Sequence, residues 1–290
     1  MTYVRATAED QARIQEFLSQ FVDDYLSEHM GAYLSLENGG LYLAQDDSNQ
    51  VMAVAVVDLV KVHEAYVSGM RIRPDMQGTE LAQEFAEFQV QEAKRLGASL
   101  IRALVGRGNE LSQKVLQDKL GFQVVDEWVV GSVEGFNAPL FADAEVGPAW
   151  AVDRERLVAF IDKFPDDLWS DKDHWLPRRL TFNDVWGGVE LGSAALAPQD
   201  DAESLDALAL FRISDGDMHL NYLRSVGQHL KSLLQYLWVE SRVWGVKTLH
   251  FGLPSQAVDK LIEASGLSLS REWRGLVLEK HVGISSTSLV

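Results

Sequence analysis

The stretch from Gln77 to Ala82, with the sequence QGTELA, has the composition of a site that binds an anion through its backbone. Gly78 supplies a tight turn, and the spacing of apolar residues from Leu81 onward predicts a long amphipathic helix. The first N–H groups of a helix lack partners within it, and the helix dipole places partial positive charge there. A phosphate group can therefore bind at this turn without a lysine side chain.

The longer stretch from Met70 to Gly97 resembles the acyl-CoA signature of the GNAT superfamily of N-acetyltransferases. In that family a strand ending in V-x-P runs into a Q/R-x-x-G-x-G/A loop, which cradles the pyrophosphate of acetyl-CoA. One position departs from the pattern, because Glu80 takes the place of the central glycine. The matching residues are Ile72, Pro74, Gln77 and Ala82. The resemblance implies acetyl-CoA as cosubstrate and these binding residues: Met70, Arg71, Ile72, Gln77, Gly78, Thr79, Glu80, Leu81, Ala82 and Asn109.

The activity that the resemblance implies is acetyl transfer from acetyl-CoA to an amine of a small molecule or amino-acid-like acceptor, by direct attack. The amine must first lose its proton, because a free amine with a pKa of about 8 to 10 is mostly cationic at neutral pH. The carbonyl oxygen needs a hydrogen-bond donor, commonly a backbone N–H of the strand before the loop. The alternative is a non-catalytic acyl-CoA sensor or interaction protein, which Glu80 favours.

Three side chains are candidates for contact with the amine. On the strand of residues 63–72, Glu64 and Tyr66 share one face by the period of two, so either could reach the amine directly or through water. Alternatively, Glu64 is only a surface charge at a strand end. Asp58 is embedded in the apolar run VMAVAVVDLV, and it is either a functional group facing inward or the point where the strand leaves the core. We favour a functional role for Asp58.

The late motif of the family, N-x-x-A-x-x-x-Y-x-x-x-G-F, is only partly present. Asn109 and the Gly121-Phe122 pair are one residue too far apart to fit it. The tyrosine that commonly protonates the leaving thiolate is missing, since its position holds Gln117 or Leu116, depending on the direction of counting. This departure puts catalysis in doubt more than the fold.

The pattern of predicted elements indicates an α/β (α+β) fold with two tandem GNAT-like domains, each a mixed twisted sheet flanked by helices. In the first copy we expect a strand at Tyr3–Ala6 and helices at Ala8–Leu18 and Val22–His29. A β-hairpin follows, with Asp46-Asp47-Ser48-Asn49 as its turn. Gly97 is the expected C-cap of the long helix.

A sequence repeat supports two domains, as does the length of 290 residues. Gly121 to Trp128 is echoed by Gly266 to Trp273, each with Glu-Trp at its end. We predict domains at 1–145 and 146–290, with the linker in 137–150. Alignment of the two long helices places Leu230 over Ala82, which indicates that the second copy is degenerate and has lost its coenzyme site.

The formal net charge of −17 argues against nucleic acid and anionic membranes as partners, because both require a basic footprint. The chain contains no cysteine, which excludes disulfides, thiolate metal sites and a cysteine nucleophile. No apolar run approaches the roughly 20 residues of a membrane span, so we expect a cytoplasmic protein. We expect no metal, because a DKDH run at 171–174 lacks a second histidine. The oligomeric state stays open.

Overall fold

The structure, a computed structural model, describes residues 1–22, 24–135, 146–170, 175–198, 204–227 and 229–283. The chain forms two compact units. The first unit comprises Met1–Val125 together with the chain from Val277 onward, and the second comprises Asp126–Leu276. The domain boundary at 145 stays a prediction, because these units follow spatial contacts and not the linear halves of the chain. Most of the predicted linker lies outside the described residues.

The first unit contains most of the predicted elements. Its strands are β1 (Thr2–Arg5), β2 (Gly39–Gln45), β3 (Val51–Lys61), β4 (Glu64–Ile72) and β5 (Leu100–Gly106). Its helices are α1 (Gln11–Leu18), α2 (Tyr25–Leu34), α3 (Leu81–Arg95) and α4 (Glu110–Lys114). Strand β6 (Gln123–Glu134) leaves the first unit and enters the second.

The sheet of the first unit has the order β1-β2-β3-β4-β5, and the end of the C-terminal strand β14 (Arg271–His281) lies beside β5. Only β4 and β5 are parallel among the five sequential strands. The residues of β14 from Val277 belong to the first unit, whereas its earlier residues belong to the second. A segment distant in sequence therefore completes the first sheet.

Both faces of the first sheet are covered. One face packs against α3 through Ala53, Ala65, Ile101 and Phe85. The other packs against α1 and α2 through residues that include Val54 and Val56 of β3. Burial of both faces explains why β3 reads as a nearly continuous apolar run.

The second unit repeats this arrangement. Its helices are α5 (Arg154–Lys163), α6 (Phe182–Glu190), α7 (Leu230–Val243) and α8 (Ser255–Ser265). Its further strands are β7 (Gly147–Pro148), β8 (Leu168–Ser170), β9 (Pro177–Arg179), β10 (Ala194–Ala197), β11 (Ala207–Ser214), β12 (Asp217–Ser225) and β13 (Thr248–Pro254). Within this unit the strand order is β14-β6-β13-β12-β11-β10-β7, with β12 and β13 parallel, and β8 and β9 form a separate pair.

The apolar face of α7 lies in the second core, where Leu233, Leu234 and Leu237 are buried. The predicted hairpin is present, β2 with β3, and β11 forms a second hairpin with β12. The second predicted helix was misplaced, because α2 begins at Tyr25 and not at Val22. Asp24 fixes this start, since its carboxylate accepts the Leu26 N–H at 2.9 Å. No helix in the described ranges is long and apolar enough to cross a bilayer.

Candidate functional site

Strand β4 carries one extra residue where it passes β3. The register between the two strands slips between Ser68 and Arg71, which is the signature of a β-bulge. Gly69 lies in this bulge with a φ of +64°. A Cβ atom there would lie 2.7 Å from Leu26 Cδ2 of α2, so both the backbone conformation and the packing require glycine. The bulge bends β4 and changes the direction in which its backbone N–H and C=O groups point.

Strands β4 and β5 are paired only at their first residues. The described ladder joins Glu64–Tyr66 to Leu100–Arg102, and both strands continue beyond it. Two strands that part after so short a ladder leave backbone N–H and C=O groups available to another partner. The split opens at Tyr66 and Arg102. From there the part of β4 that is not paired with β5 leads to the predicted phosphate turn.

The predicted phosphate turn has the backbone that its sequence suggested. Pro74–Met76 forms a single 3₁₀ turn, and Gly78 then adopts a φ of +79° with open space where a side chain would be. The hydroxyl of Thr79 donates to the Met76 carbonyl at 2.7 Å and accepts the Leu81 N–H at 3.4 Å. The turn therefore leads directly into α3, which begins at Leu81.

Glu80 precedes α3 with helical φ and ψ of −64° and −17°, so its backbone conformation does not require glycine. Its side chain is exposed and makes no capping hydrogen bond. The first helical bond runs from the Glu84 N–H to the Glu80 carbonyl at 3.0 Å. The N–H groups of the first turn therefore point out of the helix start, as an anion site requires.

A row of polar side chains crosses the first sheet at the split. Asp58 of β3 pairs with Tyr66 of β4, and Tyr66 pairs with Arg102 of β5. Glu279 of β14 extends the row, because Arg102 Nε donates to its Oε1 at 2.5 Å. By the alternation along β3, Asp58 shares a face with Val56, which packs against α1 and α2. The structure thus brings Asp58, Glu64 and Tyr66 together on one face.

Arg102 holds two carboxylates in the interior of the first unit. Its side chain is fully buried, and its second ion-pair partner is Glu64, to which Nη1 donates. Glu64 and Glu279 are 7% and 6% exposed. Formal charges leave this trio at −1, which is costly in a medium of low dielectric constant. Glu64 is therefore not the surface charge that one interpretation of the sequence allowed.

Tyr66 is the least accessible of the three predicted catalytic residues, with 1% of its surface exposed. Its hydroxyl has no hydrogen-bond partner among the described residues. Burial, and then the electrostatic influence of Tyr25 and Glu279, raise the pKa of the Tyr66 hydroxyl well above its usual range. Tyr66 therefore keeps its proton at neutral pH and can donate a hydrogen bond.

Comparison with known proteins bears directly on this geometry. Residues 10–122 match the family model for "Acetyltransferase (GNAT) family", and the match includes the bulge, the split and the phosphate turn. The region that matches is less than half of the 290-residue chain, and it is similar in sequence to GNAT acetyltransferases. This similarity supports an N-acetyltransferase. No protein of curated function matches the sequence.

Solved structures show the same fold over nearly the whole chain. A GCN5-related N-acetyltransferase from Sphaerobacter thermophilus aligns with a TM-score of 0.63 and 13% identity, over 97% of this chain and 95% of its own. A tandem GNAT protein from the clavulanic acid biosynthesis pathway aligns with a TM-score of 0.54 and 11% identity, over 98% and 99%. A glucosamine N-acetyltransferase region of a fungal multi-domain enzyme has a TM-score of 0.63 and 12% identity, over 96% and 38%. The predicted tandem GNAT fold is confirmed.

The structure explains why the late GNAT motif is one residue too long. After α4 the chain forms a π-helical turn at Val115–Lys119, in which the Leu120 N–H donates to the Val115 carbonyl at 3.1 Å. A π turn takes up one extra residue in a helix. Asn109 caps α4 by accepting the Ser112 N–H at 3.1 Å, and Phe122 is buried as the motif demands. The π turn accommodates the extra residue of the motif, but this segment still contains no tyrosine.

Sequence reasoning missed Arg102 and Glu279, which hold the centre of the polar row. Each is a charged residue within an apolar strand, in the runs LIRALV and GLVLEK. That signal singled out Asp58 and applies equally to them. Asp171, Asp173 and His174, the weak metal candidates, lie outside the described residues. In the described ranges no group of three or more His, Asp or Glu side chains is placed to hold a metal ion.

Proposed function

We propose that this protein transfers the acetyl group of acetyl-CoA to an amine of a small molecule. The observation that carries the proposal is the sequence of bulge, strand split and glycine turn at the start of α3, all within the residues that match the GNAT model. The amine attacks the thioester carbon, a C–N bond forms, the C–S bond breaks, and coenzyme A leaves as a thiolate.

The residues present fit an acyl-CoA ligand at the first unit. The exposed backbone of β4 after the bulge can accompany the pantetheine arm, and the turn before α3 can hold the pyrophosphate. Gly78 leaves open space, and Glu80 does not distort the turn. The residues proposed for this role are Met70, Arg71, Ile72, Gln77, Gly78, Thr79, Glu80, Leu81 and Ala82. Asn109 supports the site by starting α4.

The polar row suggests distinct roles for the candidate catalytic side chains. Asp58 is only half buried, and we propose it as the contact for the acceptor amine. Tyr66 lies at the point of the split with its proton retained, so it can donate a hydrogen bond where charge develops. The ion pair between Glu64 and Arg102 favours a positioning role for Glu64, since it fixes the strand pair at the split.

A second function, acyl-CoA sensing without catalysis, has specific support. Glu80 places a carboxylate beside the phosphates, and no tyrosine occupies the α4 position from which the family commonly protonates the thiolate. Binding and turnover separate the two functions. The chain contains no cysteine, so 5,5′-dithiobis(2-nitrobenzoate) reports only the thiol of released coenzyme A.

The deciding experiment combines calorimetric titration with acetyl-CoA and the thiol assay over a panel of amines. Glucosamine is a suitable first acceptor, because one solved neighbour is a glucosamine N-acetyltransferase region. Binding with turnover supports the enzyme, and binding without turnover on any amine supports the sensor. Absence of binding would contradict both proposals.

Substitution of Glu80 tests the placement of the phosphates. If the carboxylate faces them, Glu80→Gln and Glu80→Gly should both tighten acetyl-CoA by about 1 kcal/mol, several-fold in affinity. Glu87→Gln, an exposed position two turns further along α3, serves as the control. Equal affinities in all four proteins would show that Glu80 points away from the ligand.

A further inference from the structure

The second unit places different chemistry at the same point of its sheet. Its parallel pair β12 and β13 aligns Asp217 with Thr248 and His219 with His250. In the first unit Glu64 is aligned with Leu100, and Tyr66 with Arg102. Counted from the start of each ladder, Asp217, His219 and His250 stand where Glu64, Tyr66 and Arg102 stand in the first unit.

These three side chains are in contact. His250 Nε2 lies 3.4 Å from Asp217 Oδ2, a little beyond the usual range of about 2.7–3.2 Å for an N–H···O hydrogen bond. The ring of His219 stacks on His250 with 5.1 Å between centroids, and on Trp175 with 5.6 Å. The side chains of His250 and Asp217 are 33% and 35% exposed. A substrate can therefore reach this cluster, unlike the fully buried Arg102 of the first unit.

The chemistry differs in a decisive way between the two units. An arginine stays charged at all pH values of interest, whereas histidine exchanges a proton near neutrality. A carboxylate that accepts from one ring nitrogen of a histidine fixes the tautomer, leaves the other nitrogen as the base, and stabilises the cation that forms. With Asp217 at Nε2, the basic atom is Nδ1 of His250.

The surroundings of the histidines add one positive and one negative charge. Arg212 of β11 stands opposite His219, and Ser132 of β6 stands opposite His250. Glu134 follows on the same face of β6, opposite Thr248. Strand β8 contributes only neutral groups beside β13, where the Ser170 hydroxyl donates to the Gly252 carbonyl at 2.9 Å. Asp217 is therefore the group that settles the tautomer of His250.

The far end of β12 also departs from the sequence prediction. Helices α3 and α7 begin at Leu81 and Leu230, so Leu230 corresponds to the buried Leu81 and not to Ala82. A cavity of about 330 Å³ opens there, lined by Arg224, Gly227, Gln256 and Lys260 among others. Arg224 also pairs with Asp167 at 3.2 Å, so Lys260 is the cationic side chain of this cavity that best suits an anionic group. The five residue steps from His219 to Arg224 span roughly 16 Å of strand, the length of an extended arm between phosphate and reacting group.

We propose that the second unit is itself an acyl-transfer site, in which His250, oriented by Asp217, takes the proton of an amine acceptor. The proposal rests on the proposed acetyl transfer for its acyl donor. The amine nitrogen gives its proton to His250 Nδ1 as the C–N bond forms and the C–S bond of the thioester breaks, and the donor leaves as a thiolate. His219 is a positioning residue that acts through the ring stack.

The test uses the full chain, the thiol assay with acetyl-CoA and ethanolamine or glucosamine, and a pH series from 5.5 to 9. In a chain whose proposed first site is disabled by Asp58→Asn and Tyr66→Phe, His250→Asn should lower kcat/KM at least 100-fold, within the range of general-base catalysis. The loss of rate in acid that remains should be only the part caused by protonation of the amine itself. Asp217→Asn should lower kcat with little change in KM. His281→Asn, an exposed histidine of the first unit, is the control. A folded His250→Asn protein with the rate and pH profile of the parent would overturn the proposal.

A second measurement separates this proposal from the proposed function. Nitrogen NMR of the histidine rings should show His250 as the Nε2–H tautomer in the parent and as a mixture in Asp217→Asn. If the parent shows no thiol release with any amine, acetyl transfer fails, and the tautomer alone then decides whether the dyad exists. A mixed tautomer in the parent would show that Asp217 does not orient His250.

Discussion

Replacement of Arg102 by methionine should destabilise the first unit severely. Arg102 is fully buried, and its two partners, Glu64 and Glu279, are each less than one-tenth exposed. Methionine fills much of the same volume, so the loss arises mainly from two buried carboxylates left without a counter-charge. Removing one partner of a buried ion pair costs about 3–5 kcal/mol, against a typical total stability of about 5–15 kcal/mol.

The control is Arg95→Met. Arg95 pairs with Glu92 at 2.6 Å on α3, but its side chain is 67% exposed, and exposed pairs contribute at most about 1 kcal/mol. The triple variant Arg102→Met, Glu64→Gln, Glu279→Gln should recover part of the loss, because it removes the charges together.

Unfolding in urea can be followed separately in the two units. All eight tryptophans lie between Trp128 and Trp273, within the second unit, whereas far-UV circular dichroism reports on both. The Arg102→Met variant should move the circular dichroism transition by about 1 M urea or more, given slopes of about 1–3 kcal/mol per M. A shift no larger than that of Arg95→Met would refute the argument that this ion-pair cluster stabilises the first unit.

Three further predictions follow from the packing of the first unit. Gly69→Ala should lower the stability of this unit by about 2 kcal/mol, because alanine is strained at the positive φ and its Cβ would clash with Leu26. Gly78→Ala is strained in the same way but has open space around it, so it should cost about half as much. Denaturant titration followed by circular dichroism compares the two variants. A chain that stops after Leu276 should lose the first unit's helical signal or aggregate, because it lacks buried Leu278 and Glu279; a soluble, fully folded product would contradict the strand assignment. Burial and the hydrogen bond to Glu92 raise the pKa of Tyr42 to about 12, so folded Tyr42 keeps its proton while unfolded Tyr42 ionises. This tyrosine should contribute up to about 2–3 kcal/mol to the fall in stability between pH 10 and 12, and Tyr42→Phe should make the measured fall smaller by that amount.

The sequence predicted the phosphate turn and its flanking elements because their determinants are local. Gly78 specifies a turn, and the apolar spacing from Leu81 specifies the helix that follows it. The same kind of local pattern predicted the hairpin of β2 and β3. The start of α2 at Tyr25, and not at Val22, is also set locally, by the cap that the Asp24 carboxylate provides.

The ion-pair cluster could not be predicted from local patterns. Arg102 and Glu279 are far apart in the chain, and no periodicity links β5 to β14. The one-residue excess before Gly121 was visible in the sequence, but the π turn that absorbs it depends on packing around Leu116. His219 and His250 of the second unit belong to no sequence motif. Only the register of β12 and β13 shows that they occupy the positions that correspond to Tyr66 and Arg102 in the first unit.

The path of β14 through both units affects how the protein folds during its synthesis. During synthesis the ribosome releases the bulk of the first unit early, but the strand that supplies the second carboxylate to Arg102 and covers β5 emerges about 150 residues later. At about 5–20 residues per second the delay is roughly 8–30 s, far longer than helices and hairpins need to form. Throughout that interval β5 is an uncovered sheet edge beside a buried guanidinium with one partner missing. The nascent first half should therefore be a client for chaperones until the end of the second half arrives to close it.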